Sequence, residues 1–272
     1  MSRARAPGHR AGQAPDRRPS PDLDALPRPP RAPLVSWRAV KSRPPRPRRP
    51  APGPLTPLPP AFYRRPAEAV ARDLLGRYLV RRLAGEVLVL RLVEVEAYLG
   101  APDRASHAWG GRRTPRNASL YLAGGHAYVY FIYGMHWCLN AVTGEAGVGA
   151  AVLLRAGEPV AGEERMRAHR GLPAPPPPPR PGDLAGGPGK LCQALAVDRA
   201  FDGLRLDQGP LQLAAGEPAA AAQVLAGPRI GVAYAGEAAG WPLRFAIAGN
   251  PHVSRPRPAA VLAAPHAGHG EG

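Results

Sequence analysis

The 272-residue chain has only two cysteines, Cys138 and Cys192. Two cannot build a disulfide framework, so a reducing compartment is expected, and the cytoplasm is the predicted location. No run of about 20 apolar residues occurs, so neither a membrane-spanning helix nor a membrane partner is expected. The N-terminus is broken by proline and has no apolar stretch of the kind a secretory leader needs. The eight histidines form no HExxH and the cysteines no CxxC, so no metal and no other cofactor is predicted. His126 and His136 are read as structural or surface residues, and the two cysteines as small buried hydrophobes. "GGPGKL" has the flavour of a phosphate loop, but Leu191 follows Lys190 where Ser or Thr is needed.

Arginine and proline are abundant and unevenly spread. The formal charge is +16, and residues 1–60 hold 17 prolines, 12 arginines and one lysine against three aspartates. With almost nothing to bury, that segment is predicted to be a disordered basic tail that attracts polyanions without defining a site. The same bias, with no methionine between Met1 and Met135, is also what high-GC coding sequence upstream of a true start would give.

From Phe62 to about Val253 the pattern becomes that of a folded domain, predicted over 61–256 and followed by a flexible 257–272. "RPAEAVARDLLGRYLV" reads as a helix opened by Pro66. "EVLVLRLVEVEAY" reads as a central strand. "HAYVYFIYGMHWCLNAV" reads as a hairpin broken at Gly134, and "VGAAVLLRAGEPV" as a further strand. Pro159 to Gly171 reads as a helix, residues 172–187 as a proline-rich surface insertion, and "GPGKLCQALAVD" as another helix. "RIGVAYAG" and "PLRFAIAG" supply two late strands. Strands in adjacent groups without regular βα alternation imply an α+β class: a single mixed α/β domain with a mainly antiparallel curved sheet flanked by helices.

Strict alternation along the central strand places Leu88, Leu90, Leu92, Glu94, Glu96 and Tyr98 on one face. A carboxylate at the end of an apolar row is costly unless it is paired or used. A strand end emerging into solvent, or an ion pair with an arginine, accounts for it as well as a catalytic role does. The company is distinctive, however. Tyr98, His107, Tyr128, Tyr130 and Tyr133 cluster in a chain that is only 6% aromatic, and Tyr128 and Tyr130 share a face. Carboxylates beside flat π surfaces suit hydrolysis of a glycosylated planar base. Arg155 shares a face with Leu153 and Ala151, so it calls for an anionic partner, which Glu96 or a phosphate could supply. No lysine lies in this cluster, so no Schiff-base chemistry is expected.

On "DLLGRYLV", "VEVEAYLG", "ASHAWGGRRTPRN", "AYVYFIYGMHWCLN", "VLLRAGEP", "GPGKLCQAL" and "PLRFAI", in that order, the chain resembles the alkyladenine (3-methyladenine) DNA glycosylase family. The resemblance runs from about Phe62 to Ser254. It implies a single mixed domain that acts as a monomer on double-stranded DNA containing damaged purines and excises them by base flipping. It further implies Glu96 as the general base for water, with Arg155 beside it. Tyr98, His107 and Tyr130 would line the base pocket, and Asn140 would reject a guanine amino group. Tyr133 would enter the duplex. Thr114, Arg116 and Lys190 are read as candidate phosphate contacts, with a solvated charged loop as the alternative. Val95, Leu120 and Tyr121 depart from the family's usual residues, which bears on substrate preference. A non-catalytic damage-binding protein and a nucleoside hydrolase are the alternatives.

Overall fold

The computed structural model describes residues 53–83, 85–173 and 179–258. The tail predicted over 1–60 lies outside these residues except for its last eight, of which Leu58 is buried in the core. Helices α1 (Pro60–Tyr63) and α2 (Ala67–Leu74) come first. Pro66 starts α2 with its missing amide at no cost, and Val70, Ala71 and Leu74 form its buried side. Strands β1 (Tyr78–Leu83) and β2 (Glu86–Tyr98) follow, then β3 (Ala127–Ile132), β4 (His136–Thr143) and β5 (Ala150–Ala161). After helices α3 (Glu163–His169) and α4 (Pro188–Ala194) come β6 (Leu211–Ala214), β7 (Val224–Gly227) and β8 (Arg244–Ile247).

The sheet runs β3-β4-β5-β2-β1-β6, with β8 also paired to β2 and β7 to β8. Every one of these pairs is antiparallel. The mixed, mainly antiparallel α+β architecture expected from the sequence is therefore the one observed. Strand β2 is central, flanked by β5 on one side and by β1 and then β8 on the other. No helix among the described residues is long and apolar enough to cross a membrane.

Strict alternation fails in the middle of β2. Leu88, Leu90 and Leu92 belong to the main core, but so do Val93, Val95 and Ala97. The ladder with β5 shifts register between Leu92 and Glu94 and again between Glu94 and Val95. Strand β5 changes parity at the same place: Ala156 is in the core, while a Cβ on Gly157 would meet the core residue Leu90. A paired kink of this kind puts two consecutive residues on one face and exchanges the roles of the two faces beyond it. Glu94, Glu96 and Tyr98 therefore point away from the side that Leu88, Leu90 and Leu92 occupy, toward the layer that also receives Leu153 and Arg155. The single row of six residues predicted from alternation is thus two rows of three.

Other local expectations also change. Pro159 pairs with Leu90 within β5, and the helix begins only after Gly162. "RIGVAYAG" is a loop followed by a 3-10 turn over Ala233–Gly240. Its small residues pack with Ala105 against Tyr98 and Trp241, so its apolar alternation reflects loop packing and not a pleat. Within the proline-rich insertion, residues 174–178 lie outside the described residues. Leu184 and Ala185 are buried in the core and not on the surface, and Ala185 accepts a hydrogen bond from the Gly157 amide.

Candidate active site

The kink delivers two buried carboxylates with different surroundings. Oε1 of Glu94 accepts from Arg155 Nε, Arg244 Nε and the Ser254 hydroxyl, each at 2.8 Å. Its Oε2 accepts from the Ser254 amide at 2.7 Å. Four donors hold it, three of them on Oε1. Burial alone would raise its pKa, but Arg155 and Arg244, together with the Ser254 amide, hold it below the usual carboxylate range.

Glu96 is held more sparingly. Oε1 accepts the Ile230 amide at 2.8 Å and faces Arg155 Nη1 at 3.2 Å, while Oε2 accepts the Tyr98 hydroxyl at 2.9 Å. A carboxylate has about four lone-pair positions, so one is left on Oε2. Arg155 bridges the two acids. Burial would lower its pKa, but Glu96 and Glu94 raise it, so it stays charged. The Tyr98 phenol is pushed well above its usual value by burial and by Glu96, which keeps it a donor.

Tyr98, Arg155 and Ile230, the three partners of Glu96, all line a cavity of about 480 Å³, a volume within the range of small-molecule sites. Glu96 itself is fully buried behind them. The aromatic wall is compact: His107 meets Tyr130 edge-on with ring centroids 4.6 Å apart, and Tyr128 and Tyr130 are 5.3 Å apart. His107 Nδ1 lies 2.7 Å from the Tyr128 hydroxyl. Packing of the ring into this wall, aided by Arg116 and Arg112, lowers its pKa, so the imidazole is neutral at pH 7. Burial, with the Cys138 sulfur beside it, pushes the Tyr130 phenol well above its usual range and keeps it protonated. Asn140 also lines the cavity, with its amide anchored on the Tyr128 carbonyl at 3.0 Å.

At the rim the β3–β4 hairpin closes through Tyr133 and Gly134, with φ of 54° and 66°. Two consecutive left-handed residues make the turn that matches strand twist, and the second position suits glycine. Tyr133 accepts the strain of this conformation and is 74% exposed.

The structure thus brings Tyr98, His107, Tyr130, Tyr133, Asn140 and Arg155 around one cavity with Glu96 behind its wall. Thr114 and Arg116 line an adjoining cleft. Lys190 stands apart, directed to the Gly182 carbonyl at 3.3 Å, although its neighbours Pro188 and Gly189 do reach the cavity wall.

A model of the methylpurine-DNA glycosylase family matches residues 61–251. The chain belongs to the methylpurine-DNA glycosylase family. A putative 3-methyladenine DNA glycosylase of Methanocella arvoryzae is 48% identical over 74% of this chain and 97% of its own length. The DNA-3-methyladenine glycosylase of Homo sapiens is 45% identical, over 74% of this chain and 69% of its own. The mouse enzyme of the same name is 46% identical over 72% of this chain, which spans only 61% of that protein.

Several supporting residues in this family member escaped the sequence reading. Arg244 and Ser254 complete the shell of Glu94. Asp103, fully buried, holds Arg229 through a 2.8 Å contact to Nη2. Arg229 in turn lies over the Tyr98 ring at 4.7 Å and precedes the Ile230 amide that holds Glu96. Arg244 was detectable, because "PLRFAI" carries a lone arginine in an apolar strand just as "VLLRAGEP" does. Ile230 acts through its backbone and leaves no side-chain signature.

Proposed function

We propose that this chain is a monofunctional DNA-3-methyladenine glycosylase. It acts as a monomer in base excision repair, flips alkylated purines out of duplex DNA and hydrolyses the N-glycosidic bond. The observation that carries this reading is Glu96, buried and oriented by Arg155, Tyr98 and the Ile230 amide behind an aromatic cavity.

The flipped base is held between Tyr98, His107 and Tyr130, whose electron-rich faces favour a purine made cationic by alkylation at N3 or N7. Water on the remaining lone pair of Glu96 Oε2 gives its proton to the carboxylate as its oxygen bonds to C1′. The C1′–N bond breaks with its electron pair going to the purine, which leaves neutral. The products are the free base and an abasic site. 3-Methyladenine and 7-methylguanine meet this requirement. Hypoxanthine and ethenoadenine, being neutral, need protonation as well. Asn140, fixed on the Tyr128 carbonyl, disfavours the guanine amino group, so unmodified guanine is turned away while 7-methylguanine is excised because its cationic ring is the better leaving group. Tyr133 fills the gap in the stack from the minor-groove side. Thr114, Arg116 and Lys190 take the DNA backbone. Among the described residues the one lysine, Lys190, does not line the cavity, so none of them offers strand cleavage through a Schiff base an amine nucleophile there.

The test is Glu96→Gln on methylated duplex DNA. Binding is expected to persist while base release falls by about 10²–10⁴-fold, and excision at an unchanged rate would remove Glu96 from the mechanism. Binding by the unaltered chain with no released purine would instead indicate a damage-binding protein, and release from free nucleosides alone a nucleoside hydrolase.

A further inference from the structure

Next to the base cavity lies a cleft of about 340 Å³ that shares Ser106, His107, Tyr128 and Tyr234 with it. The remainder of its wall includes Arg104, Arg112 and Arg116, and no carboxylate contributes to it among the described residues. Each arginine elsewhere in the site has an acidic partner: Arg155 and Arg244 have Glu94, and Arg229 has Asp103. Arg104 instead lies over the Trp109 ring, with its guanidinium carbon 5.2 Å from the centroid. Trp109 is 50% exposed and Tyr234 66%. Large aromatic faces left in water beside cations without carboxylate partners make a surface complementary to a ligand that is both flat and anionic. A nucleotide has both properties, with the base for the ring and the phosphate for the guanidinium.

We infer that this cleft is a second nucleotide subsite, which seats an unpaired neighbour of the excised residue on the same strand. Its base stacks on Trp109, and its phosphate lies against Arg104 and Arg112. The inference rests on reading the adjoining cavity as the excision pocket, because the shared wall fixes the two subsites side by side. Stacking is tolerant of sequence, since every base has a π face. The subsite therefore gives the protein a grip on single-stranded DNA that does not depend on damage or on a duplex.

The test uses the full chain and a labelled, undamaged oligothymidylate, with affinity read by anisotropy across a salt series and excision measured separately on saturating methylated duplex. Trp109→Ala is expected to weaken single-strand binding about tenfold. Arg104→Ala is expected to reduce the slope of log K against log salt by about one. Duplex excision at saturation should be unchanged for both variants. Intrinsic fluorescence should be quenched by the oligonucleotide in the unaltered chain and much less in Trp109→Phe. Unaltered single-strand affinity in both Trp109→Ala and Arg104→Ala, with excision intact, would overturn the subsite while leaving the glycosylase reading standing. Binding that depends on Trp109 in a chain that releases no base would support the subsite and sink the excision reading.

Discussion

Replacing Glu94 with Gln removes one charge and turns one acceptor into a donor, and the geometry dictates where that hurts. An amide nitrogen at the Oε1 position would face two guanidiniums and the Ser254 hydroxyl, whereas at Oε2 it would oppose only the Ser254 amide. The side chain should adopt the second arrangement, which still sets N–H against N–H and leaves both arginines short of a counter-charge. Arg155 keeps Glu96 at 3.2 Å, and Arg244 keeps the Pro256 carbonyl at 2.8 Å. Removing one member of a buried ion pair costs about 3–5 kcal/mol, and these retained contacts argue for the lower end, about 3 kcal/mol. That is a large share of a typical stability of about 5–15 kcal/mol, and for a domain of this size it corresponds to a fall in Tm of roughly 6–12 °C. Urea unfolding followed by circular dichroism at pH 7.5 measures it. The pH dependence has a definite sign. The pKa of Glu94 is lowered in the folded protein, so its contribution is complete above the ordinary glutamate value of about 4.3 and is lost as the pH falls through the lower folded value. The difference between the unaltered chain and the variant should therefore begin to shrink as the pH falls below the ordinary glutamate value and close only once it has passed the lower folded one. A difference under about 1 kcal/mol at pH 7.5, or one that does not change with pH, would refute the reasoning.

Gly149 has φ of +73°, and a Cβ there would sit 2.7 Å from Tyr121 and 2.8 Å from Ala108. Gly149→Ala should destabilise the chain by about 1–3 kcal/mol in the same urea assay, and an unchanged midpoint would mean the loop yields freely. Burial pushes the Cys138 thiol up to about 11 and the Cys192 thiol well above its usual range. Neither should react with iodoacetamide at pH 8 until the chain is unfolded, and fast labelling of the native protein by mass spectrometry would contradict the packing.

The sequence carried the class of the fold and the membership of the site, but not the geometry that joins them. Strand β2, the β3–β4 hairpin, the helix opened by Pro66 and the helix of "GPGKLCQALAVD" were legible because their periodicity and punctuation are local, whereas Pro159 belongs to β5 and opened no helix. The kink was not, since nothing in "RLVEVEAY" distinguishes a strand that changes face from one that does not. The change depends on β5 shifting beside it at Ala156 and Gly157. "RIGVAYAG" misled because a loop of small apolar residues packed under Tyr98 and Trp241 has the same texture as a strand. The pairing of Glu94 with an arginine was anticipated in kind. Its second arginine and Ser254 lie 150 and 160 residues away in sequence, beyond any pattern read along the chain. Pro188 and Gly189, which reach the cavity wall ahead of Lys190, were not singled out, because neither has a side chain with a chemical signature.

Because β2 supplies the main core with one row and the carboxylates with the next, the backbone that carries Glu96 moves only with the sheet's centre. Amide exchange at Glu96 should follow global unfolding, whereas the exposed Tyr133 turn and the loop around Trp109 can open at far lower free energy. On the proposed mechanism, chemistry belongs to the last part of the molecule to come apart and recognition to the first, so the surface can adjust to a distorted strand without moving the backbone that carries the proposed base.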